Sequence, residues 1–186
     1  MPPKPSPEPR PRRSGALLLA AVLLLAGLLW AGRAELPEHL ARWYGDGRAR
    51  IALDYTRLSA ELGPAALARL AGGVPLPCQD LADGRRVCEA ALTEANGLPS
   101  ARLRASWQQA QLQTTEVTVP WWAHHAAVRM LTLRLGPPVR ADAALPGDAQ
   151  SGILWALPHG SLVIDRAPGW NPLQWSTVQW RASPAP

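Results

Sequence analysis

The sequence predicts an α+β fold: an antiparallel β-sheet, made of a meander plus a C-terminal hairpin, with one helix packed on it and a single N-terminal transmembrane helix before it. Three stretches carry that expectation. Residues 15–32, GALLLAAVLLLAGLLWAG, hold no charge and no strongly polar side chain. Residues 101–108, ARLRASWQ, alternate apolar and polar at every step, the period of a half-buried strand. Residues 121–135 repeat apolar groups at helical spacing and stop at Gly136, Pro137 and Pro138, which cannot continue a helix.

As a helix, the uncharged run spans roughly 27 Å at 1.5 Å per residue, against a bilayer core of about 30 Å. It exceeds the roughly 7–15 residues of a signal-peptide core, which favours an uncleaved anchor. A soluble core helix would show a polar face, and this run has none. The alternative is a cleaved signal, since Gly32 and Ala34 place small residues at the −3 and −1 positions for a cut before Glu35. Both readings export the rest of the chain. Lys4, Arg10, Arg12 and Arg13 precede the run and only Arg33 comes closely after it, so the amino terminus stays in the cytoplasm.

The chain therefore divides into a Pro/Arg-rich cytoplasmic tail (1–14), with six prolines in its first eleven residues, and a transmembrane signal-anchor or signal peptide (15–34). A juxtamembrane helix (35–47) is next, with Leu36, Leu40 and Trp43 on one stripe. Then come a periplasmic α+β domain (48–182) and a disordered tail (183–186). About 150 residues beyond the run suffice for one hydrophobic core and exclude two independent domains. The expected address is the bacterial inner membrane, single pass, with the bilayer contacting residues 15–32; cleavage would instead free the domain into the periplasm.

Charge excludes a nucleic-acid partner. Of the formal +5, the first 14 residues supply +3, four basic groups against Glu8, which leaves +2 for everything else. Phosphate neutralisation needs clustered basic groups, and the later arginines stand singly among apolar residues.

Within the domain, residues 48–62 suit either strand or helix, and a strand running into a turn is the preferred reading. Pro64–Leu70 reads as a short helix stopped by Gly72 and Gly73. Cys78 and Cys88 flank Asp83-Gly84, where a tight turn would bring the sulfurs together. In an oxidising compartment they form a disulfide; a redox couple or metal site would need Cys-x-x-Cys or more ligands. Strands are expected from Val87, over Ala101–Gln108 and over Leu112–Val119, with Asn96-Gly97 and Gln109–Gln111 as turns. Pro120 opens the helix Trp121–Leu135, with Val128, Leu131 and Leu135 facing inward. A Pro-rich loop reaches Gln150. Ile153, Trp155 and Leu157 then pair with Leu162 and Ile164 across His159-Gly160, and Gln174–Arg181 is the last strand. No internal repeat is visible.

The chain lacks the phosphate-binding loop, the nucleophile elbow and the His-Glu-x-x-His pair. His124 and His125 are adjacent on a helix and point about 100° apart, so they cannot chelate one ion. His124 shares the inward stripe and reads as a buried, hydrogen-bonded imidazole. No catalytic residue, metal or cofactor is expected, and no stretch carries a family signature. Nine tryptophans with no phenylalanine are the compositional oddity. Trp107 and Trp155 fall on inward strand positions; Trp121, Trp122, Trp170, Trp175 and Trp180 are the surface candidates, with Trp121, Trp122 and Trp170 the preferred ligand or partner contacts. The functional expectation is a membrane-anchored, exported, non-catalytic domain that binds an envelope protein. The alternative is a Trp-based glycan or peptidoglycan-binding module, and an unrecognised enzyme using His124 ranks third.

Overall fold

The computed structural model describes residues 13–31, 48–139, 152–165 and 174–183. The expectations for the tail 1–12, the cleavage site, the juxtamembrane helix 35–47, the loop to Gln150, Trp170 and residues 184–186 lie outside these. The uncharged run forms helix α1, Arg13–Ala31, on which Leu18, Val22, Leu25 and Trp30 are all at least 60% exposed. Some side chains of α1 fall outside the described set; among fully described residues no helix is long and apolar enough to cross a membrane.

From Arg48 the chain builds an α+β domain on one large sheet. Its strands are β1 (Ala49–Ile51), β2 (Cys78–Asp80), β3 (Arg85–Ala95), β4 (Leu98–Pro99), β5 (Arg102–Gln108), β6 (Gln111–Pro120), β7 (Gly152–Leu157), β8 (Gly160–Asp165) and β9 (Trp175–Ala182). Helix α2 (Pro64–Leu70) precedes the first meander, and α3 (His124–Leu135) stands between β6 and β7. The spatial order is β1-β3-β5-β6-β9-β8-β7, with β2 and β4 also paired to β3.

The turns that pin this register have local causes. Asn96 and Gly97 (φ 55° and 83°) reverse β3 into β4, and Gln109 and Ala110 (φ 51° and 63°) reverse β5 into β6. Both two-residue turns keep φ positive at both positions, the geometry that matches strand twist. Asn-Gly suits it; alanine at 110 adopts it at a cost, and the flanking ladder enforces it. A bulge between Ser106 and Trp107 lies just before that turn. The inward row Cys88, Ala105, Thr115, Trp180, Leu162, Trp155 crosses all six main strands in register. On the outward face the matching row is polar across β3, β5, β6 and β9, where Arg104 pairs with Glu89 at 3.1 Å and Gln179 Nε2 donates to Glu116 at 2.7 Å, and it ends in Val163 and Leu154.

Two features correct the expected architecture. The sheet is not wholly antiparallel, because β1 runs parallel to the end of β3, with Arg50 opposite Glu94 and Ile51 opposite Ala95. Parallel neighbours need a long crossover, and the chain supplies one, through the 3₁₀ turn Tyr55–Arg57, α2 and β2. Nor does a single helix cover the sheet: Leu67 of α2 is as fully buried in the core as Ala127 and Leu131 of α3. The topology also repeats where the sequence does not. Each half is a helix followed by three antiparallel strands, α2 then β3-β5-β6 and α3 then β7-β8-β9, and the halves join through their last strands, β6 against β9. Each half ties an inward tryptophan to a carbonyl beside its helix: Trp107 Nε1 donates to Leu62 O (2.7 Å) and Trp155 Nε1 to Gly136 O (3.1 Å).

Cys78 and Cys88 are directly opposed across β2 and β3 and joined by the expected disulfide. Strand β2 is exposed along its whole length, so no burial holds it. The disulfide does, together with the antiparallel ladder to β3 and the Arg86 guanidinium gripping both Asp80 oxygens at 2.7 and 3.0 Å. That exposed ion pair contributes little. Reduction is therefore expected to lower unfolding stability by about 2–3 kcal/mol in the chain-entropy picture. Denaturant midpoints with and without reductant check this; coincident midpoints would show β2 to be held by other means.

Candidate functional site

The residue types of nucleophilic catalysis do meet in one place, under the start of α3. His124 is fully buried, and its Nδ1 lies 3.1 Å from Ser176 Oγ, on the inward side of β9. His125, exposed as its position implies, sets its ring edge-on at 5.3 Å. Asp165, at the end of β8, carries a carboxyl whose pKa is raised by burial, with the nearby His124 acting in the opposite sense. Ser176 was not a sequence candidate. Its signal is parity: it shares the inward side of β9 with Val178 and Trp180, so a hydroxyl there needs a buried partner.

Substrate must reach a nucleophile, and Ser176 is only 3% exposed beneath its own helix. The described clefts are lined by neither His124 nor Ser176. Their hydrogen bond ties the start of α3 to β9. Asp165 tests the electrostatics. Its folded pKa lies above the ordinary 3.8, so the protonated carboxyl adds stability that is complete below the unfolded value and is lost as pH rises through the folded one. Asp165→Asn is expected to hold or raise Tm at neutral pH and to remove the gain on acidification toward about pH 4. A lower Tm at neutral pH with an unchanged acid slope would contradict this.

Among the described residues no His, Cys, Asp and Glu grouping could hold a metal ion. The tryptophans separate sharply. Trp122 is 54% exposed, whereas Trp121 and Trp175 are half-buried. Trp180 is wholly buried, which corrects its reading as a surface candidate. Residues 121–123 form a 3₁₀ turn leading into α3, which sends two adjacent indoles to different environments, so Trp121 and Trp122 do not form a double platform.

Trp122 instead stands exposed in the 3₁₀ turn at the head of α3. After it Ala126, Arg129 and Leu133 recur at helical spacing on the outward face of α3, and Leu133 is 81% exposed. A shallow groove of about 370 Å³ runs along this face, lined by His125, Ala126, Arg129, Met130, Leu133 and Arg134. A second cleft, of about 440 Å³, opens at the other end of the helix between Arg134, Leu131 and Leu135 and the turn 52–56. Sequence reasoning missed both, because a helix's outward face is defined only once its inward face is known.

This chain matches no protein-family model, no curated protein and no solved structure. Its function is therefore argued from its own geometry.

Proposed function

We propose that the chain is a non-catalytic docking module of the bacterial envelope, held in the inner membrane by α1 with its amino terminus in the cytoplasm and its domain in the periplasm. The outward face of α3 receives a protein partner. One observation carries this reading: Leu133 on the outward stripe of α3 and Trp122 in the 3₁₀ turn that leads into it are both large, apolar and exposed, while the opposite stripe of the helix is buried in the core. Such a stripe rimmed by Arg129 and Arg134 has the make-up of an interface centre, aromatic and aliphatic with arginine at its border. The address rests on two further facts. Leucines exposed along α1 suit lipid and not water, and the disulfide suits an oxidising compartment. Cleavage before Glu35 would leave the same module free in the periplasm.

A photo-crosslinking residue placed at Leu133 in the native membrane is expected to yield one discrete protein adduct, while the same residue at Thr177, on the outward face of the sheet, yields none. Adducts with lipid alone, or the same products from both positions, would overturn the reading. The exposure of Trp122 also favours a glycan or peptidoglycan fragment stacked on its indole. In that case Trp122→Phe would abolish the fluorescence change caused by a soluble muropeptide and leave the Leu133 adduct unformed.

A further inference from the structure

The larger cleft is built differently from the α3 groove, and the fold leaves part of its polar lining unengaged. Its wall, residues 52–56, is held rigid from behind. Asn96 Oδ1 accepts from Leu53 N at 2.7 Å and Asn96 Nδ2 donates to Leu53 O at 3.1 Å, so one side-chain amide clamps both backbone groups as a neighbouring strand would. Its floor is apolar, with Leu53 and Leu131 buried and Leu135 beside them. Three polar groups line it. Asp54 Oδ1 caps the turn by accepting from Thr56 N and Oγ1 at 3.0 and 2.7 Å, which leaves Oδ2 open. Arg134 makes no ion pair or hydrogen bond among the described residues, although it lies close enough to Tyr55 for its charge to act on the phenol. Tyr55 itself is 5% exposed, and its hydroxyl has no hydrogen-bond partner among the described residues. Burial pushes its pKa up, with the Arg134 charge opposing, so the hydroxyl stays a neutral donor.

The Tyr55 hydroxyl is not among the buried unpartnered atoms, so on a residue that also lines the cleft its oxygen still meets solvent. A phenol donor with no protein partner, in a cleft also lined by a guanidinium, a carboxylate and leucines, is available to an acceptor on a ligand. We infer that this cleft binds a small zwitterion with an apolar side chain, an amino acid or short peptide, with its carboxylate on Arg134 and the Tyr55 hydroxyl, its ammonium on Asp54 and its side chain on the leucine floor. Guanidinium and carboxylate match in planar geometry, and the volume lies within the usual range for small-molecule sites. The inference is independent of the docking reading: the two grooves share only Arg134.

Isothermal titration of the full chain in detergent with L-leucine, leucinamide and N-acetyl-leucine tests it. Leucine is expected to bind, and each capped form to bind about tenfold more weakly or worse, since each strips one charge-assisted contact. Arg134→Gln is expected to erase the preference for leucine over leucinamide, and Asp54→Asn the preference over N-acetyl-leucine. Tyr55→Phe keeps the packing, so it is expected to weaken leucine several-fold without lowering Tm. Tighter binding of dileucine than of leucine would identify a peptide as the ligand. Absence of leucine binding at about 10 mM, or unaltered binding by Arg134→Gln, would overturn the inference. Leu133→Ser is expected to leave leucine binding unchanged, so loss of the docking partner and loss of the ligand are read separately.

Discussion

Gly160→Val is expected to be among the most destabilising single substitutions in the domain, costing about 3 kcal/mol or more. Gly160 opens β8 opposite Ala182 of β9. A Cβ there would collide with the carbonyl oxygen of Arg181 and lie 2.9 Å from Cε2 and Nε1 of Trp180. The glycine is needed for close approach and not for a special backbone conformation, since its φ is not among the positive ones. Two obstacles of different kind are present. An indole can be made smaller, but a ladder carbonyl cannot move without dragging β9 away from β6. Consequently Gly160→Ala is expected to be destabilising as well, and combining it with Trp180→Leu is not expected to rescue it. Urea midpoints of the two single variants and the double variant check this; full rescue would show that the ring alone sets the limit.

Trp180→Ala is expected to cost about 3–5 kcal/mol, the range for emptying a large buried aromatic site. Trp180 is fully buried and sits in register between Thr115 and Leu162 at the middle of the six-strand row. That position couples the two halves of the sheet, so the cavity opens along the β6–β9 seam. Its indole Nε1 is buried without a hydrogen-bond partner among the described residues, and a buried orphan donor lowers stability. Trp180→Phe removes the orphan along with part of the volume, so it is expected to cost well under half as much as the alanine variant. Equal losses for Phe and Ala would mean that the N–H has a stabilising partner. Against a typical total of about 5–15 kcal/mol, the alanine variant alone approaches global unfolding.

Legibility in the sequence tracks the range of the interaction involved. Strict alternation over Ala101–Gln108 is a local signal, and β5 forms within one residue of that stretch. Asn96-Gly97 announces its own turn, and two cysteines ten residues apart around Asp83-Gly84 announce their bond. The parallel placement of β1 is not local. Residues 48–62 carry both periods, and pairing with β3 depends on a partner more than forty residues later, as between Arg50 and Glu94. The junction of β6 with β9 likewise spans 55 residues or more, the shortest separation being that between Pro120 and Trp175. Trp180 reads as a surface residue because its neighbours Gln179 and Arg181 are polar, although its parity with Val178 marks the inward side. The candidate sites were least legible. Tyr55 and Arg134 are brought together only by the packing of α3 over the crossover, and Ser176 meets His124 only because β9 inserts beside β6. The exposed stripe of α3 is defined by the buried one, His124, Ala127 and Leu131.

We propose that this domain works outside the cytoplasm. Trapping thiols in intact cells with acid, then alkylating the unaltered full-length chain before and after reduction, tests it most directly. An extracytoplasmic domain keeps Cys78 and Cys88 joined, so no alkylation is expected before reduction and two alkylated sites after it. Alkylation of both cysteines before reduction, in cells whose other envelope disulfides are intact, would contradict the account.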